Sequence, residues 1–61
     1  MMTLKEVREK NGLTQEKLAL QLGVERGTIS MIEIGKNRMT VPMAKKVEKL
    51  FGVKWTEFFE D

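Results

Sequence analysis

The chain has 61 residues, a length that suits one domain, and a domain this small buries only about 60% of the surface its unfolded chain exposes. It contains no cysteine and no histidine, which excludes disulfides and zinc fingers as internal staples, so no metal site is expected. The net charge is +2, but residues 25–54 carry seven basic and three acidic side chains, whereas residues 55–61 carry three acidic and no basic ones. This polarity fits a face that meets phosphate and a tail that faces away from it, although an unevenly charged solvated surface is the plainer interpretation.

No apolar run approaches the roughly 18 residues of a membrane span, and the amino terminus begins as a helix pattern instead of a signal peptide. We therefore expect residues 1–61 to form one cytoplasmic domain without a membrane partner.

The first part of the chain predicts two short helices. Thr3 and Glu6 have the S/T-x-x-E spacing of a capping box, so helix 1 is expected from Thr3 to about Asn11. Helix 2 is expected from a Thr14 cap to Leu22, with its apolar residues on one stripe.

Gly23 separates helix 2 from helix 3, which we expect over about residues 25–34. A glycine can end a helix in a left-handed conformation and let the chain turn sharply. Helix 3 would pack through Ile29 and Ile32 and leave its polar face free. Two short helices joined by such a turn are the sequence form of a helix-turn-helix that reads duplex DNA.

The remaining chain predicts a basic connection over Lys36–Met39 and two further helices. Helix 4 is expected between a Thr40 cap and Gly52, and a short last helix over about Trp55–Phe59. The apolar residues at helical spacing in helix 4 are Met43, Ala44, Val47, Leu50 and Phe51. Because no strand pattern is present, the predicted fold class is all-α, a compact five-helix bundle.

The stretch LKEVREKNGLTQEKLALQLGVERGTISMIEIGKNRMT, followed by KKVEKLFGV, resembles the lambda-repressor-like, Cro-type (XRE-family) helix-turn-helix domain of phage and bacterial regulators. The most specific parts are TQEKLA, LGV, TIS-x-IE-x-G-K and FGV, and the match runs from Leu4 to Phe59. The resemblance implies a five-helix domain that binds operator DNA, usually as a dimer on a two-fold-related site. We therefore expect a sequence-specific transcriptional repressor whose partners are duplex DNA and a second copy of the chain, with no cofactor and no small-molecule ligand.

By position, the resemblance assigns base contacts to the first turns of helix 3. These residues are Glu25, Arg26, Gly27, Thr28, Ser30 and Met31. A guanidinium can donate two hydrogen bonds to guanine, so Arg26 is the leading candidate for base recognition, with a phosphate contact as the alternative. Gly27 either is tolerated in the first turn or lets the helix backbone approach the DNA closely. Met31 would contact a thymine methyl group or cover the edge of the core.

We expect phosphate contacts at both ends of the unit formed by helices 2 and 3. The resemblance and the positive end of the helix 2 dipole point to Thr14 and Gln15, and the basic connection adds further candidates. The full set is Thr14, Gln15, Lys17, Lys36, Asn37 and Arg38, with Lys45 and Lys46 as weaker candidates.

Arg8 and Glu33 match positions that often pair beneath the reading helix in the resembling domains. Arg8 follows the inward Val7 and Glu33 follows the inward Ile32, which puts both near the core boundary. We expect a structural ion pair between Arg8 and Glu33, against the alternative of two independent surface charges.

The aromatic carboxyl end is a candidate dimer interface formed by Trp55, Phe58 and Phe59. In the alternative interpretation, Trp55 and Phe58 complete the core of the monomer and Phe59 alone is left at the surface. A two-fold interface there would place the two reading helices about 34 Å apart, one turn of DNA.

The departures from the family pattern concern helix starts. The small polar cap usual before helix 3 is Glu25 here, the usual proline between helices 3 and 4 is Met39, and Lys54 stands where serine is common.

An enzyme is not expected, because the chain lacks histidine, cysteine and tyrosine and its single serine lies on helix 3. An antitoxin-like protein that binds a protein partner as well as DNA is the alternative function.

Overall fold

The computed structural model describes residues 1–59, so the acidic tail residues Glu60 and Asp61 lie outside the described residues. Within that range the chain forms four α-helices, a closing 3₁₀ turn and no strand. The elements are α1 (Leu4–Lys10), α2 (Gln15–Leu22), α3 (Arg26–Glu33), α4 (Val41–Phe51) and the 3₁₀ turn η1 (Trp55–Phe58). The predicted all-α fold class is confirmed.

Threonine side chains begin three of the helices, as the sequence predicts. Thr3 Oγ1 accepts from the Glu6 amide at 3.1 Å and Glu6 Oε1 accepts from the Thr3 amide at 3.0 Å, which completes the capping box. Thr14 and Thr40 likewise accept from the amides of Lys17 and Met43. Each bond satisfies an amide that has no partner within its helix.

The core is one cluster in which α2 packs on α3 and α4, α1 packs on α3, and η1 packs on α4. All buried side chains among residues 1–59 are apolar: Leu4, Val7, Leu18, Ala19, Leu22, Ile29, Ala44, Val47 and Phe58. Every helix contributes to this cluster, which therefore fixes α3 from its inner side.

Leu50, one of the apolar residues at helical spacing in α4, is 46% exposed, because the inward stripe of α4 follows Ala44, Val47 and Phe51. The end of the chain differs from the prediction in one detail. The last element is a 3₁₀ turn and ends at Phe58, since the amides of Glu57 and Phe59 bond to the third residue before each of them. The Met2 amide donates to the Glu57 carbonyl at 2.9 Å, so this turn is tied to the amino terminus.

Candidate nucleic-acid interface

The turn between α2 and α3 is held by a backbone cap and by a lysine from α4. Gly23 adopts a left-handed conformation with φ of 72°, and the Val24 amide donates to the Ala19 carbonyl at 3.0 Å. Lys46 Nζ donates to the Leu22 carbonyl at 2.8 Å, at the negative end of the α2 dipole. Lys46 therefore stabilises the turn, a role that depends on the distance between α4 and α2 and has no local sequence signal.

Beneath α3, the structure brings Arg8 of α1 and Glu33 together. Arg8 Nε and Nη2 donate to the two carboxylate oxygens of Glu33 at 2.7 and 3.1 Å, a bidentate arrangement. Arg8 Nη1 also donates to the Leu13 carbonyl at 3.0 Å. Only 15% of the Arg8 side chain and 6% of the Glu33 side chain are exposed, so the pair is largely shielded from water.

The protonation of Glu33 follows from these contacts. Burial opposes the charged carboxylate, but the hydrogen bonds from Arg8 and Gln15 outweigh it and hold the pKa of Glu33 below its usual value. Glu33 therefore stays charged across the neutral range and keeps its partners in place.

Gln15, a predicted phosphate contact, also makes two contacts with protein groups. Its Nε2 donates to Glu33 Oε1 at 3.1 Å, and its Oε1 lies 3.5 Å from Arg26 Nη1. The side chain is half-buried and both ends of its amide face protein groups. Gln15 thus links the Glu33 carboxylate to Arg26, while one N–H of its amide remains for a further acceptor.

The first turn of α3 is open to solvent. Glu25, Arg26 and Gly27 are exposed, and Glu25 precedes the helix without forming a side-chain cap. Gly27 has no positive φ, and a Cβ built on it would meet nothing within 4 Å. The fold itself therefore gives no reason for a glycine at this position.

Further along α3, the candidates differ in exposure. Thr28 and Ser30 are half-buried, whereas Met31 is 37% exposed. Sequence reasoning missed Ile34, which is 63% exposed directly after α3. A signal was available, because Ile34 lies seven residues after Gly27 and so returns to the same side of a helix.

The candidate phosphate contacts lie at two places flanking α3. Thr14, the N-cap of α2, and Lys17 in its first turn are exposed. Lys36, Asn37 and Arg38 are exposed in the connection after α3. The amides of Lys36 and Asn37 both donate to the Met31 carbonyl, at 2.9 and 3.1 Å, so this basic connection is fixed against the end of α3.

The three aromatic residues at the carboxyl end have separate positions. Phe58 is buried with 7% exposure and belongs to the core, while Trp55 is half-buried with Lys45 Nζ 5.1 Å from its ring centre. Phe59 is 41% exposed and meets Trp55 edge-on at 6.1 Å. Phe59 is therefore the most exposed of the three.

The described residues contain no group of three or more acidic side chains placed to hold a metal ion. No helix within residues 1–59 has the length and apolar character needed to cross a membrane.

Comparison with known proteins places this geometry in a family. The chain matches the family model described as helix-turn-helix over residues 4–58. It is 48% identical over 56 residues to an uncharacterized HTH-type transcriptional regulator of Methanocaldococcus jannaschii, covering 92% of this chain and 85% of the relative. No solved structure matches the chain.

Two further relatives are similar over most of their length. An uncharacterized HTH-type transcriptional regulator of Bacillus subtilis is 40% identical over 58 residues, and the match covers 95% of this chain and 76% of that relative. The control protein C.MunI of a Mycoplasma species is 36% identical over 59 residues, covering 95% of this chain and 80% of its own. The chain belongs to the XRE family of helix-turn-helix DNA-binding transcriptional regulators.

Proposed function

We propose that this protein is a repressor that binds a two-fold-related operator as a homodimer and inserts α3 into the major groove. The observation that carries the proposal is the contrast between the two sides of α3. Its inner side is fixed by Ile29 in the core and by Glu33 in the ion pair, while its first turn is exposed. A rigid helix with a free polar start is what recognition of base edges requires.

The proposed base contacts come from the amino-terminal part of α3. They are Glu25, Arg26, Gly27, Thr28, Ser30 and Met31. Arg26 is the leading contact because its guanidinium is exposed and can donate two bonds to the O6 and N7 acceptors of guanine. Its 3.5 Å approach to Gln15 supports this role, since a side chain that is already oriented loses less entropy on binding.

Phosphate contacts are proposed on both sides of the groove, because polar side chains, all exposed except the half-buried Gln15, flank α3 at both ends. They are Thr14, Gln15, Lys17, Lys36, Asn37 and Arg38. Lys17, Lys36 and Arg38 are the charged members, and two copies would neutralise about six phosphates. The logarithm of the affinity should then fall with the logarithm of salt concentration with a slope of about 5.

The proposed homodimer uses the carboxyl-terminal end of the domain. Phe59 borders an open groove of about 420 Å³ whose other lining residues are Met1, Arg38, Met39 and Phe58. Phe59 and Met1 are 41% and 72% exposed, and apolar surface of this kind favours burial against a partner subunit.

The proposed role is repression, because repression needs only occupancy of a site that overlaps a promoter. Activation would need an additional surface that contacts the polymerase.

Selection of bound duplexes from a random library, followed by sequencing, tests the proposal. We expect an enriched inverted repeat whose half-sites lie about 10 base pairs apart, together with the salt dependence given above. Sedimentation of the complex should give two protein chains per duplex. Failure to enrich any duplex would overturn the function, and a single unrepeated site bound by one chain would overturn the dimer.

A further inference from the structure

An exposed apolar line runs along α3 to the residue directly after it. Gly27, Met31 and Ile34 follow one another at intervals of four and three residues, so at about 100° per residue they share one side of the helix. The inward residues Ile29 and Ile32 lie on the other side. Met31 is 37% exposed and Ile34 is 63% exposed. We call Gly27, Met31 and Ile34 the apolar strip.

The polar candidates for base recognition lie beside the apolar strip. Arg26 Nη1 lies 3.5 Å from Gln15 Oε1, which turns the guanidinium toward α2. Ser30 is half-buried. If α3 enters the groove with its exposed side first, the apolar strip therefore faces the centre of the groove and Arg26 faces one flank.

The chemistry of the apolar strip limits what it can recognise. Isoleucine has no hydrogen-bonding group, the methionine sulfur is a weak acceptor, and a glycine presents only backbone. Covering the polar edge of a base with such groups would leave its donors and acceptors without partners, which is costly. The apolar group that standard base pairs present in the major groove is the C5-methyl group of thymine.

We infer that the apolar strip recognises pyrimidine C5-methyl groups, through Met31 and Ile34, and that Gly27 gives the backbone room to bring them into contact. The inference rests on the proposed insertion of α3 into the major groove and adds a specificity determinant to it. The operator then carries thymine opposite the apolar strip. Uracil, which pairs identically but lacks the methyl group, is a poorer base at that position.

The test uses the duplex obtained by selection, with each thymine replaced in turn by deoxyuridine, and measures binding by the wild-type chain of 61 residues. We expect about a fourfold loss at one or two positions per half-site, the amount that removal of one buried methyl group costs. The same series is then measured with Met31→Ala and with Ile34→Ala. Each variant should bring the thymine-to-uracil ratio close to one at its own position and leave the other ratios unchanged.

The matched control is Leu20→Ala, which truncates an apolar side chain that is 76% exposed on α2 and should leave every ratio as in the wild type. Met31→Leu keeps an apolar contact and should retain the thymine preference. A wild-type chain that binds duplex DNA but tolerates uracil at every position would overturn the inference and leave the proposed function intact. A chain that binds no duplex would overturn both.

Discussion

Replacing Gly27 by alanine should stabilise the fold and weaken DNA binding at the same time. Gly27 is the second residue of α3 and has no positive φ. A Cβ added at this position would have no protein atom within 4 Å. The substitution therefore adds neither packing nor a clash, and its effect comes from the lower entropy of the unfolded chain. We expect a gain of about 0.5 kcal/mol, at the low end for such a change because the position lies in the first turn. For a domain of this size the gain raises Tm by about 2–4 °C.

Gly52→Ala is the matched control for the stability measurement. A Cβ there would also meet nothing within 4 Å, but Gly52 ends α4 with φ of 76°. An L residue enters that conformation at a cost, so the same methyl group should destabilise the domain by about 1 kcal/mol. Urea and thermal unfolding of both variants should give opposite signs. A destabilised Gly27→Ala variant would refute the backbone reasoning.

The DNA measurement decides why the glycine is present. A methyl group on the exposed side of α3 would push the helix away from the bases, and we expect about a tenfold loss of affinity for the selected duplex, or about 1.4 kcal/mol. If Gly27→Ala is more stable and binds the duplex as tightly as the wild type, close approach of the backbone is refuted and the glycine is merely tolerated.

Three further predictions concern individual side chains. Arg26→Ala should relax the preference at one base position by about 1–3 kcal/mol. Lys36→Ala should weaken binding to all operator variants equally and lower the salt slope by about 2 for a dimer. Equal losses on every operator variant for both substitutions would contradict this division of roles. Glu33→Gln should cost about 2 kcal/mol at pH 7. Because the folded-state pKa of Glu33 lies below its unfolded value, its contribution is complete above the unfolded pKa and is lost as the pH falls through the folded pKa. The difference in unfolding free energy between the wild type and Glu33→Gln should therefore shrink as the pH falls. Urea unfolding from pH 7 to pH 3 measures this difference, and a constant value would contradict the lowered pKa of Glu33. Lys46→Met should lower the free energy of unfolding by about 1 kcal/mol through loss of the bond from Lys46 to the Leu22 carbonyl. It should leave the salt slope of DNA binding unchanged. A smaller slope would show that Lys46 contacts a phosphate.

Features that depend on neighbouring residues were predictable from the sequence. Thr3, Thr14 and Thr40 begin helices where the capping pattern puts them, and Gly23 ends α2 in the left-handed conformation expected of it. These signals are local, because caps and turns are decided by residues within about one helical turn.

Contacts between distant elements were harder to predict. The bond from Lys46 to the end of α2 joins residues 24 positions apart, and the two bonds of Gln15 depend on where α3 brings Glu33 and Arg26. Sequence spacing within one helix contains none of that information. The exposure of Ile34 was missed because an isoleucine near two inward isoleucines is usually taken as core.

The separation between the two sides of α3 bears on how new specificities arise. Arg8, Glu33 and Gln15 form a bonded support that has no need of any particular base, while Gly27 and Ile34 make no contribution to the buried core. If α3 contacts the operator as proposed, substitutions on its exposed side change the DNA site without repacking the domain. Duplicated copies of this chain would be free to diverge toward different DNA sites while their folding stability stays nearly constant, and a designer could randomise the exposed positions on an otherwise fixed scaffold.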